Sequence, residues 1–232
     1  MCIRLSTLLS RFVAMARPAA FFDLDRTLID CNSGMEWAKH EFKQGNISTY
    51  QLAKASLWMG LYHLSLIDIE KAYRQAVTHY AGEPVEAVDR RTREWFHDDI
   101  SHRLRDEARG ALKDHRDQNH PLVILTNSTC FEASIAAETW NFDDWLANRF
   151  PADDDGMLTG TFETPLCYGE GKVEYATNWA RDHDVDMDAS YFYSDSLSDL
   201  PMLERVGHPR IVDPDPRLRR EARNRDWPIL DW

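Results

Sequence analysis

The chain is poor in cysteine, short of positive charge, and without a long hydrophobic run. Four cysteines, Cys2, Cys31, Cys130 and Cys167, are scattered over 232 residues. None forms a C-x-x-C pair, so neither a disulfide framework nor a zinc site is expected, and reduced thiols in a cytoplasmic protein fit best. Lys and Arg number 27 against 39 Asp and Glu, a formal net charge of -12. So acidic a chain is ill suited to binding nucleic acid nonspecifically, and its basic cluster Arg217, Arg219, Arg220, Arg223 and Arg225 reads as a solvated helix face. The most apolar stretch, residues 50–67, is interrupted by Gln51, Lys54, Ser56, His63 and Ser65. No charge-free span reaches the ~18 residues of a membrane crossing, so no stable insertion is expected. At the N-terminus, Ala14-Met15-Ala16 imitates a cleavage site, but Ser6, Thr7, Ser10 and Arg11 break the apolar region before it. Residues 1–18 therefore read as an extension and not as a signal peptide.

What is present is a change of pattern along the chain. Residues 19–22 are a short apolar strand. From 33 to about 104, apolar residues such as Trp37, Phe42, Leu52 and Leu57 recur at helical spacing, with turns near Gly45-Asn46, Ser65 and Gly82-Glu83-Pro84. Beyond that, apolar strands at 121–126, 189–194 and 209–212 alternate with helices at 100–116, 130–139, 171–183, 199–205 and 216–224. A hairpin is expected around 157–162, between the turn signals Asp155-Gly156 and Gly160. Alternating strands and helices predict an α/β domain with a parallel sheet, the helical block being an insertion. Ligands of such sheets sit at the carboxyl ends of the strands. Three strands here end in reactive residues: Asp23 and Asp25, Thr126, and Asp195.

Four pieces line up in chain order: Asp23-x-Asp25-x-Thr27, Thr126, Lys172 in Gly169-Glu170-Gly171-Lys172, and Asp195-x-x-x-Asp199. This order resembles the haloacid dehalogenase (HAD) superfamily of hydrolases, subfamily IB, the phosphoserine-phosphatase-like branch. The resemblance covers nearly all of the chain beyond residue 18. It implies a Rossmann-like parallel core, residues 19–33 and 104–232, with an all-helical cap, residues 34–103, inserted after the first strand. It also implies a Mg²⁺-dependent phosphatase working through an aspartyl-phosphate.

The residue types suit that chemistry, because phosphoryl transfer needs an in-line nucleophile, charge neutralisation and a proton donor. By resemblance, Asp23 is the nucleophile, and Asp25 the acid and base that serves the leaving alcohol and then the water. Lys172 neutralises charge, and Thr126 and the backbone of Asn127 bind phosphate. Asp23, the Asp25 carbonyl, Asp195 and Asp199 make the Mg²⁺ site. Asn32, Glu36 and Trp37, soon after the first motif, are the expected substrate contacts from the cap.

Three departures from the family pattern stand out. Ser194 and Ser196 flank Asp195 where glycines are common, and Ser198 precedes Asp199 where Asn is common. Asn32 stands where phosphoserine phosphatases carry a glutamate, which counts against phosphoserine itself. Residues 169–172, 193–201 and 227–230 resemble a bacterial branch whose members are linked to histidinol phosphate, phosphoserine or lysophospholipid phosphates. The expected substrate is a small phosphate monoester, histidinol phosphate or another phosphorylated amino alcohol. A lipid-phosphate phosphatase and a non-catalytic phosphate-binding regulatory module are the alternatives; both aspartates of the first motif are kept, which argues against the second.

Overall fold

The computed structural model describes residues 16–63 and 69–232. Most of the N-terminal extension and the turn expected near Ser65 lie outside them. Of the extension's last residues, Arg17 already pairs in parallel with Val185.

Among the described residues, six strands form one parallel sheet. They are β1 (Ala20–Phe22), β2 (Leu122–Thr129), β3 (Asp144–Asn148), β4 (Tyr191–Ser194), β5 (His208–Val212) and β6 (Ile229–Leu230). Their order is β3-β2-β1-β4-β5-β6, so the chain leaves β1 to one side and later returns to the other. That reversal leaves a crevice at the carboxyl end of β1.

Alternation along β1 builds two core layers. Ala20 and Phe22 face one layer, which also holds Leu112, Ile135 and Trp140. Phe21 faces the other, with Val123, Trp179, Phe192 and Leu218. The first layer is covered by α5 (Asp106–Asp117) and α6 (Cys130–Trp140), the second by α7 (Glu170–Asp182), α8 (Leu200–Arg205) and α9 (Pro216–Asn224). The four helices α1 (Ser33–Lys43), α2 (Thr49–His63), α3 (Ile69–Val77) and α4 (Val85–Trp95) all fall between β1 and β2 in the chain. The α/β class and the parallel sheet are as the sequence predicts.

The structure corrects several boundaries. The helix expected at 100–116 begins at Asp106, because Leu104 is extended and bridges Ile29. Residues 157–162 form no hairpin of strands; Leu158 and Met157 make single antiparallel bridges to Ala152 and Pro84. β3 and β6 were not anticipated. β2 runs three residues past Thr126, to Thr129. Its register to β3 shifts between Leu125 and Thr129, so residues 126–128 bulge out of the ladder at the crevice. Cys31, Cys130 and Cys167 are free thiols. Among the described residues, no helix is long and apolar enough to cross a membrane.

Candidate active site

β1 stops at Phe22, and a wide turn over Leu24–Leu28 follows, closed by the Ile29 N–H donating to the Leu24 carbonyl. Arg26 adopts a left-handed backbone (φ 57°) in that turn. This turn, and not strand alternation, brings Asp23 and Asp25 to the same cleft, because β1 has already ended. Both line a cleft of about 550 Å³ over the carboxyl edge of the sheet. The cleft wall also holds Thr126 and Asn127 from the β2 bulge, Lys172 from the start of α7, and Asp195 and Asp199 from beyond β4. Asn32 and Trp37 line it too. Glu36 is not on the wall; its carboxylate binds Lys39 Nζ at 2.9 Å.

Lys172 is the electrostatic centre. Its Nζ lies 2.7 Å from Asp23 Oδ1 and 2.8 Å from Asp199 Oδ2, and the side chain is 2% exposed. Burial works to lower its pKa, but Asp199 and Asp23 outweigh it and keep the ammonium charged. Asp199 also accepts a hydrogen bond from Ser194 Oγ at 2.7 Å. Asp199, expected at the metal, uses Oδ2 for both the lysine and Ser194.

The carboxylates repel one another in a dry place. Burial, opposed by Lys172 and aided by Asp199, pushes Asp23 up to about 7. Burial also raises Asp25, whose Oδ1 accepts from the Ser33 N–H at 2.7 Å. Asp195 is pushed well up by burial, then by Asp23 and Asp199. The side-chain hydrogen bond it receives, from Thr27 Oγ1, is long at 3.4 Å. Among the described residues, no three acidic, imidazole or thiol side chains form a ready-made metal cluster. What remains is two carboxylates, Asp23 and Asp195, and the Asp25 carbonyl. That set suits Mg²⁺, which takes one or two carboxylates and fills its octahedron with water and substrate phosphate.

On the β2 side, Thr126 is 1% exposed and its Oγ1 accepts from the Ser128 N–H at 3.1 Å. The Asn127 carbonyl accepts from Asn148 Nδ2 at 2.6 Å and from the Tyr73 hydroxyl of α3. Asn32 is largely committed: its Oδ1 accepts from Met35 N–H at 3.0 Å as the N-cap of α1, and its Nδ2 lies 3.5 Å from Asp25. Trp37 Nε1 donates to the Tyr80 hydroxyl at 2.8 Å.

Sequence reasoning missed Glu132. It lies on the cleft wall, 5% exposed, and burial, then the nearby Asp25, push it up to about 8. The available signal was an acid three residues after Thr129, but that spacing reads as an ordinary helix start.

Comparison with known proteins places this geometry in a family. Residues 20–204 match the model of the haloacid dehalogenase-like hydrolases. A probable phosphatase of Mycobacterium tuberculosis is 34% identical, over 94% of this chain and 76% of that protein. A histidinol-phosphatase of Neisseria meningitidis is 24% identical, over 92% of this chain and 98% of that one. Among solved structures, a Bordetella pertussis protein of unknown function superposes with a TM-score of 0.82 at 27% identity, covering 93% and 99% of the two chains. A substrate-bound phosphoserine phosphatase superposes with a TM-score of 0.69 at 17% identity, covering 93% of each. The chain belongs to the haloacid dehalogenase-like hydrolases. Within that family it is a phosphatase.

Proposed function

We propose that the cleft hydrolyses a small phosphate monoester through an aspartyl-phosphate on Asp23. The observation that carries this reading is that Asp23, Asp25 and Asp195 line one cleft at the sheet's carboxyl edge, with the buried Lys172 ammonium bound to Asp23. A carboxylate oxygen of Asp23 attacks phosphorus, and the bond to the ester oxygen breaks. Asp25 gives its proton to the departing alkoxide. It then takes a proton from water, whose oxygen attacks the same phosphorus and frees Asp23 and inorganic phosphate. The raised pKa of Asp25 supports a carboxyl that holds a proton for the first step. Lys172 offsets the charge on Asp23, and Asp199 and Ser194 hold Lys172 in place. Thr126 and the backbone of Asn127, carried on the bulge, bind phosphate oxygens.

Asp23, Asp195 and the Asp25 carbonyl would hold Mg²⁺, with Asp199 behind them. When bound, the ion supplies positive charge to the phosphate oxygens. The block of residues 34–103, built largely of α1–α4, acts as the cap that closes over the substrate and sets its identity, with Trp37 on the wall. A reading as a lipid-phosphate phosphatase has one observation in its favour: Tyr50 and Leu57 of α2 are 75% and 62% exposed. Sedimentation with anionic liposomes separates the two, since an enzyme for small esters stays in the supernatant.

The test of the main reading is phosphate release from a panel of monoesters, with Mg²⁺ and with EDTA, beside Asp23→Asn protein. The expected result is metal-dependent release that the variant loses by a factor of about 10³ or more. Undiminished release by Asp23→Asn would end the aspartyl-phosphate mechanism.

A further inference from the structure

We propose that Asn148 and Tyr73 are positioning residues for phosphate: together they fix the peptide between Asn127 and Ser128, and through it they aim the hydroxyl of Thr126. The inference deepens the phosphatase reading and rests on Thr126 binding phosphate.

Leu125 pairs with Leu146 and Thr129 with Asn148, and residues 126–128 lie outside the ladder between them. A backbone carbonyl in such a bulge loses its strand partner and needs another. The Asn127 carbonyl has two. Asn148 Nδ2 donates to it at 2.6 Å, and the Tyr73 hydroxyl donates to it from α3 of the cap. Two donors use both lone pairs of the oxygen. They also hold each other, because Asn148 Nδ2 donates to the Tyr73 hydroxyl oxygen at 2.9 Å. Asn148 is 0% exposed. Its Oδ1 accepts from the Cys167 N–H at 2.8 Å, which sets the direction of the amide and ties it to the segment leading into α7 and Lys172. Filling the volume at this position calls for an apolar residue; the stranded carbonyl calls for an amide.

In a trans peptide the carbonyl and the following N–H point opposite ways. With the Asn127 carbonyl held by Asn148 and Tyr73, the Ser128 N–H is turned the other way and donates to Thr126 Oγ1 at 3.1 Å. A hydroxyl oxygen that accepts this bond still has its own hydrogen to give. Thr126 is 1% exposed and lines the cleft, and among the described residues its hydroxyl hydrogen meets no acceptor. A phosphate oxygen seated over the carboxyl edge of the sheet is an acceptor in that direction. Without its two donors the peptide is free to rotate, and the hydroxyl loses its fixed aim. Because Tyr73 belongs to the cap, the aim of Thr126 also depends on where α3 sits.

The test is a double-mutant cycle against Thr126→Val, which removes the hydroxyl and keeps the shape. Tyr73→Phe removes one donor and keeps the ring against Phe162. Asn148→Asp keeps the shape and the acceptor for Cys167 but puts an oxygen where the amide donor was. In otherwise wild-type protein, kcat/KM is expected to fall roughly 3- to 10-fold for Tyr73→Phe and roughly 10- to 100-fold for Asn148→Asp. Each loss should be the same for phosphoethanolamine, glycerol phosphate and phenyl phosphate, because Thr126 meets the phosphate that they share. In the Thr126→Val background each loss should shrink to less than about twofold. Losses that simply multiply would overturn the proposal. So would losses that differ from ester to ester, which would make Tyr73 a contact for the alcohol half. Wild-type kcat/KM in Thr126→Val would remove Thr126 from the phosphate site and the inference with it, and leave the aspartyl-phosphate on Asp23 to its own test. If no ester is hydrolysed, the same cycle is read by calorimetry of inorganic phosphate with Mg²⁺. Coupled losses of affinity uphold the inference there, and additive losses or no binding refute it. If Asn148→Asp does not fold, the Tyr73→Phe cycle decides alone.

Discussion

Lys172 shows how one side chain can serve both stability and chemistry. Two buried carboxylates share its ammonium group, at 2.7 and 2.8 Å. Removing one partner of a buried ion pair leaves an uncompensated charge, at a cost of about 3 kcal/mol or more. Lys172→Met keeps most of the side-chain volume but no charge. Its urea midpoint should therefore fall by an amount matching that cost, and activity should be lost as well. An unchanged midpoint would mean that Asp23 and Asp199 do not depend on the lysine. Lys172 was legible in the sequence because its glycine-rich neighbourhood is unusual. Glu36 falls off the cleft wall for a geometric reason: successive helical residues point about 100° apart. With Trp37 on the cleft wall, Glu36 turns toward Lys39. Glu132 was not legible because an acid at that spacing is what a helix start needs anyway.

At the scale of elements, α7 is placed by a close approach that only glycine permits. A Cβ on Gly171 would lie 1.9 Å from the Leu166 carbonyl oxygen, which is backbone and cannot swing away. Gly171→Ala must push α7 outward, and Lys172 moves with it. The expected cost is roughly 1–3 kcal/mol, the usual range for overpacking, with a loss of kcat larger than the stability change alone explains. Thermal unfolding and steady-state rates on one preparation check both; a fully active variant would show that α7 has slack. The long, strongly patterned elements were legible, among them β2, α6, α7 and α9. β3 and β6 were not. β3 starts directly after the turn residues Asn141–Asp143 and has only five residues, opening on the charged Asp144, and β6 is two residues long, following Pro228. The bulge at 126–128 was not legible either, because it exists only in the pairing of β2 with β3. The tertiary register, and not local propensity, aims Thr126 and Asn127.

For the whole molecule, the helices must stay docked on the sheet, and His115 is a titratable part of the contact between α5 and the sheet in the first core layer. It projects from α5 and is 4% exposed. Its Nε2 lies 2.9 Å from the Tyr193 hydroxyl of β4, and its Nδ1 lies 2.9 Å from His120 Nδ1. The rings of Phe22 and Tyr191 pack against it. Burial, then His120 and Arg210, lower its pKa to about 4. The folded chain therefore keeps the ring neutral, while the unfolded chain takes up a proton near pH 6.5. Between those values unfolding binds a proton, so stability falls as pH falls from about 6.5 and levels off below about 4. The loss between pH 7.5 and pH 5 should be about 2 kcal/mol from this group. The raised carboxyl groups of the cleft act in the opposite sense, because they take up protons more readily in the folded state. The quantity to measure is thus the difference between wild type and His115→Asn, with urea unfolding at both pH values. Wild type should lose about 2 kcal/mol more than the variant on acidification. Equal losses would mean that His115 takes up its proton without disturbing the contact between α5 and β4.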